Sequence, residues 1–327
     1  MDGPGGQRED GATEGVKRMP DAMPDPTAPA LVLADQTTVA GRPWDIEGEV
    51  EEHADLSGIA CLDDGFGLLV TDEGSLVQAF TLDREAHLLR MGADSVELLR
   101  AGEEADLEGL CCDGADFYAI GSHASGRKQP DHQPSRHHVY RIRRKDGKLR
   151  HEISHGLEPL LVQDGLLGRH YRRRLDATER GVDIEGIAAW PEGRLLIGLR
   201  SPSLDGQAYC LSVAVDTLFG TKGTRLQTAE RYALPLGEGA GIRDLAALPD
   251  GVLILAGPST DQDRADFTLW RWGGRRKVTK IGTFVHTAAA KAEGLLVLDV
   301  TGEGIEVLVL FDGIERGHPH QFTLPRR

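Results

Sequence analysis

The hydrophobic pattern of the chain is one phrase repeated. A short run of small and apolar residues comes first, then a tight acidic turn with glycine, then a more strongly apolar run. The clearest copy is Asp183-Ile184-Glu185-Gly186-Ile187-Ala188-Ala189-Trp190, the turn Pro191-Glu192-Gly193, and Arg194-Leu195-Leu196-Ile197-Gly198. Other copies begin at Asp55, Asp106, Gly241 and Lys291, so that successive starts lie 51, 77, 58 and 50 residues apart. Repeats of ~40–50 residues built from short strands mark propeller blades rather than helical solenoids. Proline followed by an acid and glycine supplies a fixed φ and then a residue free to take φ > 0. The runs after the turns (Leu68-Leu69-Val70, Phe117-Tyr118-Ala119-Ile120, Leu195-Leu196-Ile197, Val252-Leu253-Ile254-Leu255) have the length of strands buried on both faces.

This pattern predicts an all-β chain, a β-propeller of six blades with five as the alternative. The long interval from Asp106 to Asp183 has room for a degenerate extra blade. A β-sandwich would not need five copies of one strand-turn-strand phrase. Small residues such as Gly186, Ala188 and Ala189 suit the crowded innermost position beside the axis. Residues 1–29 are rich in Gly, Pro, Asp and Ala and cannot bury enough surface to offset ordering entropy, so they are expected to be disordered. Residues 30–327 form the single propeller domain. Its ring is expected to close by pairing Ala30-Leu31-Val32-Leu33 with Glu306-Val307-Leu308-Val309-Leu310.

Composition changes the picture in three places. The chain carries a net charge of −15, yet an insertion at about 123–175 is basic: Arg127, Lys128, Arg136, Arg141, Arg143, Arg144, Lys145, Lys148, Arg150, Arg169 and Arg172 to Arg174. Aromatic residues are sparse there, and Val139-Tyr140-Arg141-Ile142-Arg143 alternates like an outer strand facing water. A solvated hairpin turning at Lys145-Asp146-Gly147-Lys148 is favoured over a nucleic-acid surface. The four cysteines (Cys61, Cys111, Cys112, Cys210) show no CxxC spacing and read as buried thiols in a reducing compartment. No apolar run approaches the ~20 residues of a membrane span, and the N-terminus lacks a signal-peptide h-region. A cytoplasmic protein without membrane contact is expected.

Candidate chemistry sits at the third position of the phrase: Ser57, Glu108, Glu185, Arg243 and Glu293. If the next strand is innermost, these side chains converge on the axis. Three glutamates at one point repel unless protons or a cation compensate them. Oxygen ligands suit Ca²⁺ or Mg²⁺, and Asp106 and Asp183, two residues earlier on the same face, could join. Arg243 could instead replace the metal as a fixed counter-charge. A second ring follows the apolar runs: Thr71-Asp72-Glu73, Ser122-His123, Arg200-Ser201 and Pro258-Ser259-Thr260. There Arg200 suits an anion and His123 suits proton transfer. No phosphate loop, Gly-x-Ser-x-Gly elbow or His-Glu-x-x-His is present, so no nucleotide or organic cofactor is expected.

The phrases Asp106-Leu107-Glu108-Gly109-Leu110 and Asp183-Ile184-Glu185-Gly186-Ile187-Ala188, with Gly198-Leu199-Arg200-Ser201-Pro202, resemble a bacterial family of unknown function, DUF3616, from about residue 50 onward. The Asp-x-Glu-Gly phrase is also similar to phytase-like (esterase-like) propellers and to gluconolactonase/regucalcin propellers. In the latter a Glu-Gly pair sets a metal-binding glutamate on the axis, which by resemblance would be Glu108, Glu185 or Glu293. The function so implied is a divalent-metal-dependent hydrolase of a small phosphoester or lactone. The alternative is a non-catalytic propeller that binds a protein partner or an anionic ligand.

Overall fold

A computed structural model of the chain describes Met1 and residues 29–50, 55–100, 103–125, 133–220, 229–275, 277–285, 291–313 and 315–326. Residues 2–28 of the segment expected to be disordered, and Arg127 and Lys128, lie outside the described residues. Five sheets, antiparallel apart from one added edge strand, stand around one axis as the blades of a propeller. Their innermost strands are Leu56–Cys61, Leu107–Asp113, Asp183–Trp190, Ala240–Leu248 and Lys291–Val300. These are the five copies of the repeated phrase, and they define blades 1 to 5.

The apolar runs form the second strand of each blade, and their continuity has a simple cause. Alternate side chains of a strand point to opposite faces, and both faces here are buried against neighbouring blades. Leu195 and Ile197 enter the core between blades 2 and 3, whereas Leu196 enters the core between blades 3 and 4. Leu253 and Leu255 face blade 5, and Val252 and Ile254 face blade 3. The hydrophobic core is thus five clusters, one per interblade gap.

Blade 2 uses Val139–Lys145 and Lys148–Ser154 as its outer strands, turning at Asp146 and Gly147, both with positive φ. The basic island is therefore a solvated hairpin, and its charge is met locally. Arg141 pairs with Glu152, Arg143 lies 2.7 Å from Asp116, and Arg172 lies 2.8 Å from Glu158. The extra length before Asp183 folds into the short helices Leu157–Gln163 and Leu167–His170 instead of another blade. Leu157, Leu160, Leu161 and Leu167 pack on the core between blades 2 and 3. Five blades, the smaller of the two counts that the repeat allowed, result.

Ring closure differs from the expected pairing. Ala30–Leu33 pairs with Thr279–Val285 on the outer edge of blade 4, not with Glu306–Leu310, which lies inside the second strand of blade 5. Arg42–Pro43 then adds to the C-terminal strand His320–Pro325 of blade 5. Asp45–Glu47 runs parallel to Leu88–Glu97 on blade 1. One segment thus straps the perimeter of three blades. The second strand of blade 5 already has partners on both sides, Lys291–Val300 and His320–Pro325, so only an outer edge was open to it.

Near the axis each innermost strand carries a β-bulge at the same place. Pairing skips Ser57, Glu108, Glu185, Arg243 and Glu293 in turn. A bulge leaves one residue out of the ladder and re-aims its side chain, so the third position of the phrase is the extra residue in every blade. The glycine after it allows the next blade to approach. A Cβ on Gly109 would lie 2.5 Å from Glu185 O, and one on Gly58 would lie 2.9 Å from Leu110 N. Blade 4 has Asp244 there, and its carboxylate accepts the Leu245 and Leu295 amides at 2.7 Å each, tying blade 4 to blade 5. Replacing Gly109 with Ala is expected to cost about 1–3 kcal/mol by overpacking, read from urea denaturation. Gly114→Ala, where no atom lies within 4 Å of a Cβ but φ is +59°, reports backbone strain alone.

Candidate functional site

The bulged side chains meet at the end of the channel where the innermost strands begin. Arg243, 5% exposed, stands between Glu185 and Glu293. Its Nη2 donates a very short hydrogen bond to Glu293 Oε1. Its Nε lies 2.9 Å from Glu185 Oε2 without its N–H aimed at that oxygen. Ser57 takes no part in this charge network. It donates to Leu107 O at 2.5 Å and closes blade 1 onto blade 2.

A second tier lies above the bulges, where the paired hairpins end. Arg200 donates from Nη1 to Glu185 Oε1 at 3.0 Å and lies 3.5 Å from Asp183 Oδ2. Its Nη2 donates to Asp261 Oδ1 at 3.1 Å and its Nε to Pro258 O at 3.3 Å. All three guanidinium nitrogens are thus engaged. On the opposite side Ser122 donates a very short hydrogen bond to Asp106 Oδ2, which Arg136 Nη1 approaches at 3.3 Å. Arg136 also donates to Glu104 at 2.7 Å. It comes from the turn Pro134–Arg136 within the basic insertion.

The two sides of the mouth are unequal. Blades 3 to 5 carry Asp183, Glu185 and Glu293 with Arg200 and Arg243. Blades 1 and 2 carry Asp72, Asp106 and Glu108, with Arg136 against Asp106 alone. Glu108 has no hydrogen-bond or ion-pair partner among the described residues. Burial, then Glu185, Asp106, Asp183 and Asp72, drives its carboxyl well above the usual range. Burial also pushes Asp72 up to about 7, helped by Asp55, Asp312 and Asp106, and its Oδ1 is buried without a partner. Asp183 rises to about 7 by burial and Glu185, against the pull of Arg200. Asp106 is raised by burial although Arg136 and Ser122 oppose it. Burial lowers Arg243, opposed first by Glu185.

Seven of the eight residues singled out in the sequence therefore gather at this mouth. His123 does not join their contacts. At 1% exposure its Nδ1 lies 2.9 Å from Gly121 O, and its ring meets His137 edge-on at 5.4 Å. Burial lowers its pKa to about 4, so the ring is neutral at pH 7. Asp72 and Arg136 were the residues that sequence reasoning undervalued. Asp72 was visible as the equivalent of Ser122 and Arg200 after the apolar run, whereas Arg136 lacks any repeated context. For a divalent cation the donor set fits poorly. Arg243 holds the point where Glu185 and Glu293 converge, and among the described residues no three His, Cys, Asp or Glu are arranged to hold a metal.

A model of the family described as Protein of unknown function (DUF3616) matches residues 55–147 and 142–321. The chain belongs to this DUF3616 family. No curated protein matches it. Among solved structures, an exo-β-1,3-galactanase from Phanerochaete chrysosporium is 7% identical with a TM-score of 0.50, over 88% of this chain and 64% of that one. Glutaminyl cyclase from Myxococcus xanthus is 12% identical with a TM-score of 0.45, over 86% and 97%. A 6-phosphogluconolactonase candidate from Bacteroides fragilis is 13% identical with a TM-score of 0.40, over 93% and 82%. At such identities the likeness concerns the fold alone. No helix among the described residues is long and apolar enough to cross a membrane.

Two measurements test this charge arrangement. Arg243→Ala strands Glu185 and Glu293 in a buried site and is expected to cost about 3–5 kcal/mol, read from chemical denaturation. Asp72 takes up its proton near pH 7 when folded but near pH 4 when unfolded. The folded state therefore binds more protons between those values, and wild type loses stability relative to Asp72→Asn as pH rises through that window. Melting temperatures at pH 4 and pH 8 should show the variant gaining on wild type only at the higher pH.

Proposed function

We propose that the polar mouth of the channel hydrolyses a small, neutral, oxygen-rich ester, a lactone, by carboxyl acid–base catalysis. The observation that carries this reading is the pair formed by Glu108 and Asp72. Burial and the surrounding acids hold the Glu108 carboxyl well above the usual carboxylate range, with no hydrogen-bond or ion-pair partner among the described residues, and Asp72, poised to ionise near neutrality, adds to the field on it. Two interacting carboxyls whose environments push their pKa values apart divide into acid and base. The Asp72 carboxylate takes a proton from water as that water attacks the lactone carbonyl. Glu108 gives its proton to the ring oxygen as the acyl–oxygen bond breaks. Each step transfers one proton and leaves a hydroxy acid.

Arg200 and Arg243 act as positioning residues by fixing Glu185, whose field supports the proton on Glu108. All three Arg200 nitrogens are engaged by protein oxygens and Arg243 is ion-paired with Glu185 and Glu293, so a phosphoester dianion would meet carboxylates here. This favours a lactone over a phosphoester. The rival reading, a non-catalytic propeller, is favoured by the Glu185–Arg243–Glu293 chain, which links blades 3, 4 and 5 and would serve a scaffold equally well.

A panel of five- and six-membered lactones, assayed by proton release, tests the proposal. Wild type should hydrolyse at least one, and Glu108→Gln and Asp72→Asn should each lower kcat by about 10²-fold or more while remaining folded. Absence of hydrolysis across the panel would favour the scaffold. Addition of Ca²⁺ or Mg²⁺ should leave the melting temperature unchanged, because Arg243 already compensates Glu185 and Glu293. A rise of several degrees would signal binding to the native state and would replace this mechanism with a metal-centred one.

A further inference from the structure

The opposite end of the channel has a different character. The innermost strands end there in side chains that line a cavity of about 240 Å³, among them Ile59, Leu110, Leu245, Leu295 and the thiols of Cys61 and Cys112. Ala189, Ala247, Leu248 and Pro249 are shared with a neighbouring cleft of about 560 Å³ beneath blades 3 and 4. Trp190 forms part of that cleft and is braced by Trp272, stacked at 5.2 Å and 15°. An apolar well thus opens beside a fixed aromatic wall.

The rim is acidic on every blade. The five hairpin turns at this end carry Asp63 and Asp64, Asp113, Glu192, Asp250 and Glu303. Asp113, Glu192 and Asp250 line the cleft itself. The fields of Asp63 and Asp113 reach the Cys112 thiol, so these carboxylates stand close to the well. Asp250 is occupied by Arg271 at 2.7 Å. Asp63, Asp113 and Glu192 pair with no cation among the described residues. The repeat needs an acid at a turn only for the turn, and a neutral Asn or Gly would serve as well.

We propose that this basal well binds a small apolar cation, an alkylammonium or arylalkylammonium, with its hydrocarbon in the channel and its charged head at the rim. Charge complementarity selects this occupant. A carboxylate-bearing ligand would be repelled by Asp63, Asp113 and Glu192, and a neutral hydrocarbon would leave those groups unused. Trp190 offers the aromatic surface that favours such cations. The site lies at the far end of the channel from Glu108 and Asp72, and its test is independent of hydrolysis.

Titration calorimetry with hexylammonium, hexanol and hexanoate provides the experiment, because the three share a chain and differ in charge. Hexylammonium should bind about tenfold or more tightly than hexanol, a preference that weakens at high salt, and hexanoate should bind least. The double variant Asp113→Asn/Glu192→Gln should remove most of the preference for the cation and leave hexanol unchanged. Ala247 is exposed and lines both well and cleft, so Ala247→Phe should block binding of hexylammonium and hexanol while the melting temperature confirms the fold. Equal binding of the three probes, no binding of any, or a cation preference that survives the double variant would overturn the proposal.

Discussion

Crowding at the axis is the constraint on which the rest of the molecule depends. Five strands can meet around one line only if side chains are small where backbones touch. Gly58, Gly109 and Gly186 meet this by leaving no Cβ in the way of the next blade. The bulge beside each of these positions follows from the same geometry, since the residue that cannot remain in the ladder must point elsewhere. In this ring, elsewhere is the channel. A packing requirement therefore becomes a means of delivering one chosen side chain per blade to a common point.

What the chain delivers there is an excess of carboxylate over guanidinium. Burial makes that excess costly, and the protein meets the cost unevenly. On blades 3 to 5 arginines compensate the acids, and those groups are held rigidly by mutual bonds. On blades 1 and 2 burial and neighbouring acids raise Glu108 and Asp72 towards their protonated forms, and neither makes an ion pair among the described residues. A group neutralised by an arginine is chemically inert, whereas one neutralised by a proton can give that proton away. The division of the mouth into a fixed half and a labile half gives the proposed chemistry its direction.

Much of this was legible in the sequence, for identifiable reasons. The phrase repeats because each blade solves the same packing problem, so the innermost strands and the convergence of Glu108, Glu185, Arg243 and Glu293 could be read from spacing. The role of Arg243 as counter-charge was visible as a departure from a pattern of glutamates. The bulges were not legible, because pairing that skips one residue leaves no mark on a period-two pattern. Blade number was ambiguous because the helices Leu157–Gln163 and Leu167–His170 lengthen the 77-residue interval before Asp183 to well beyond one repeat. His123 misled because the chain at that point turns inward with a positive φ, which residue type does not announce.

The perimeter strap has a consequence for how the molecule is made. Residues 30 to 47 leave the ribosome before any blade exists, yet their partners on blades 4 and 5 follow only after blades 1 to 3. Ala30 to Leu33 can pair at once with Thr38 to Ala40, but its other edge must wait for Thr279 to Val285 of blade 4. Contacts between distant parts of a chain form slowly because their loop-closure entropy is met before they repay it. Ring closure is then a late event, and until it happens the outer edges of blades 4 and 5 remain open to any other strand.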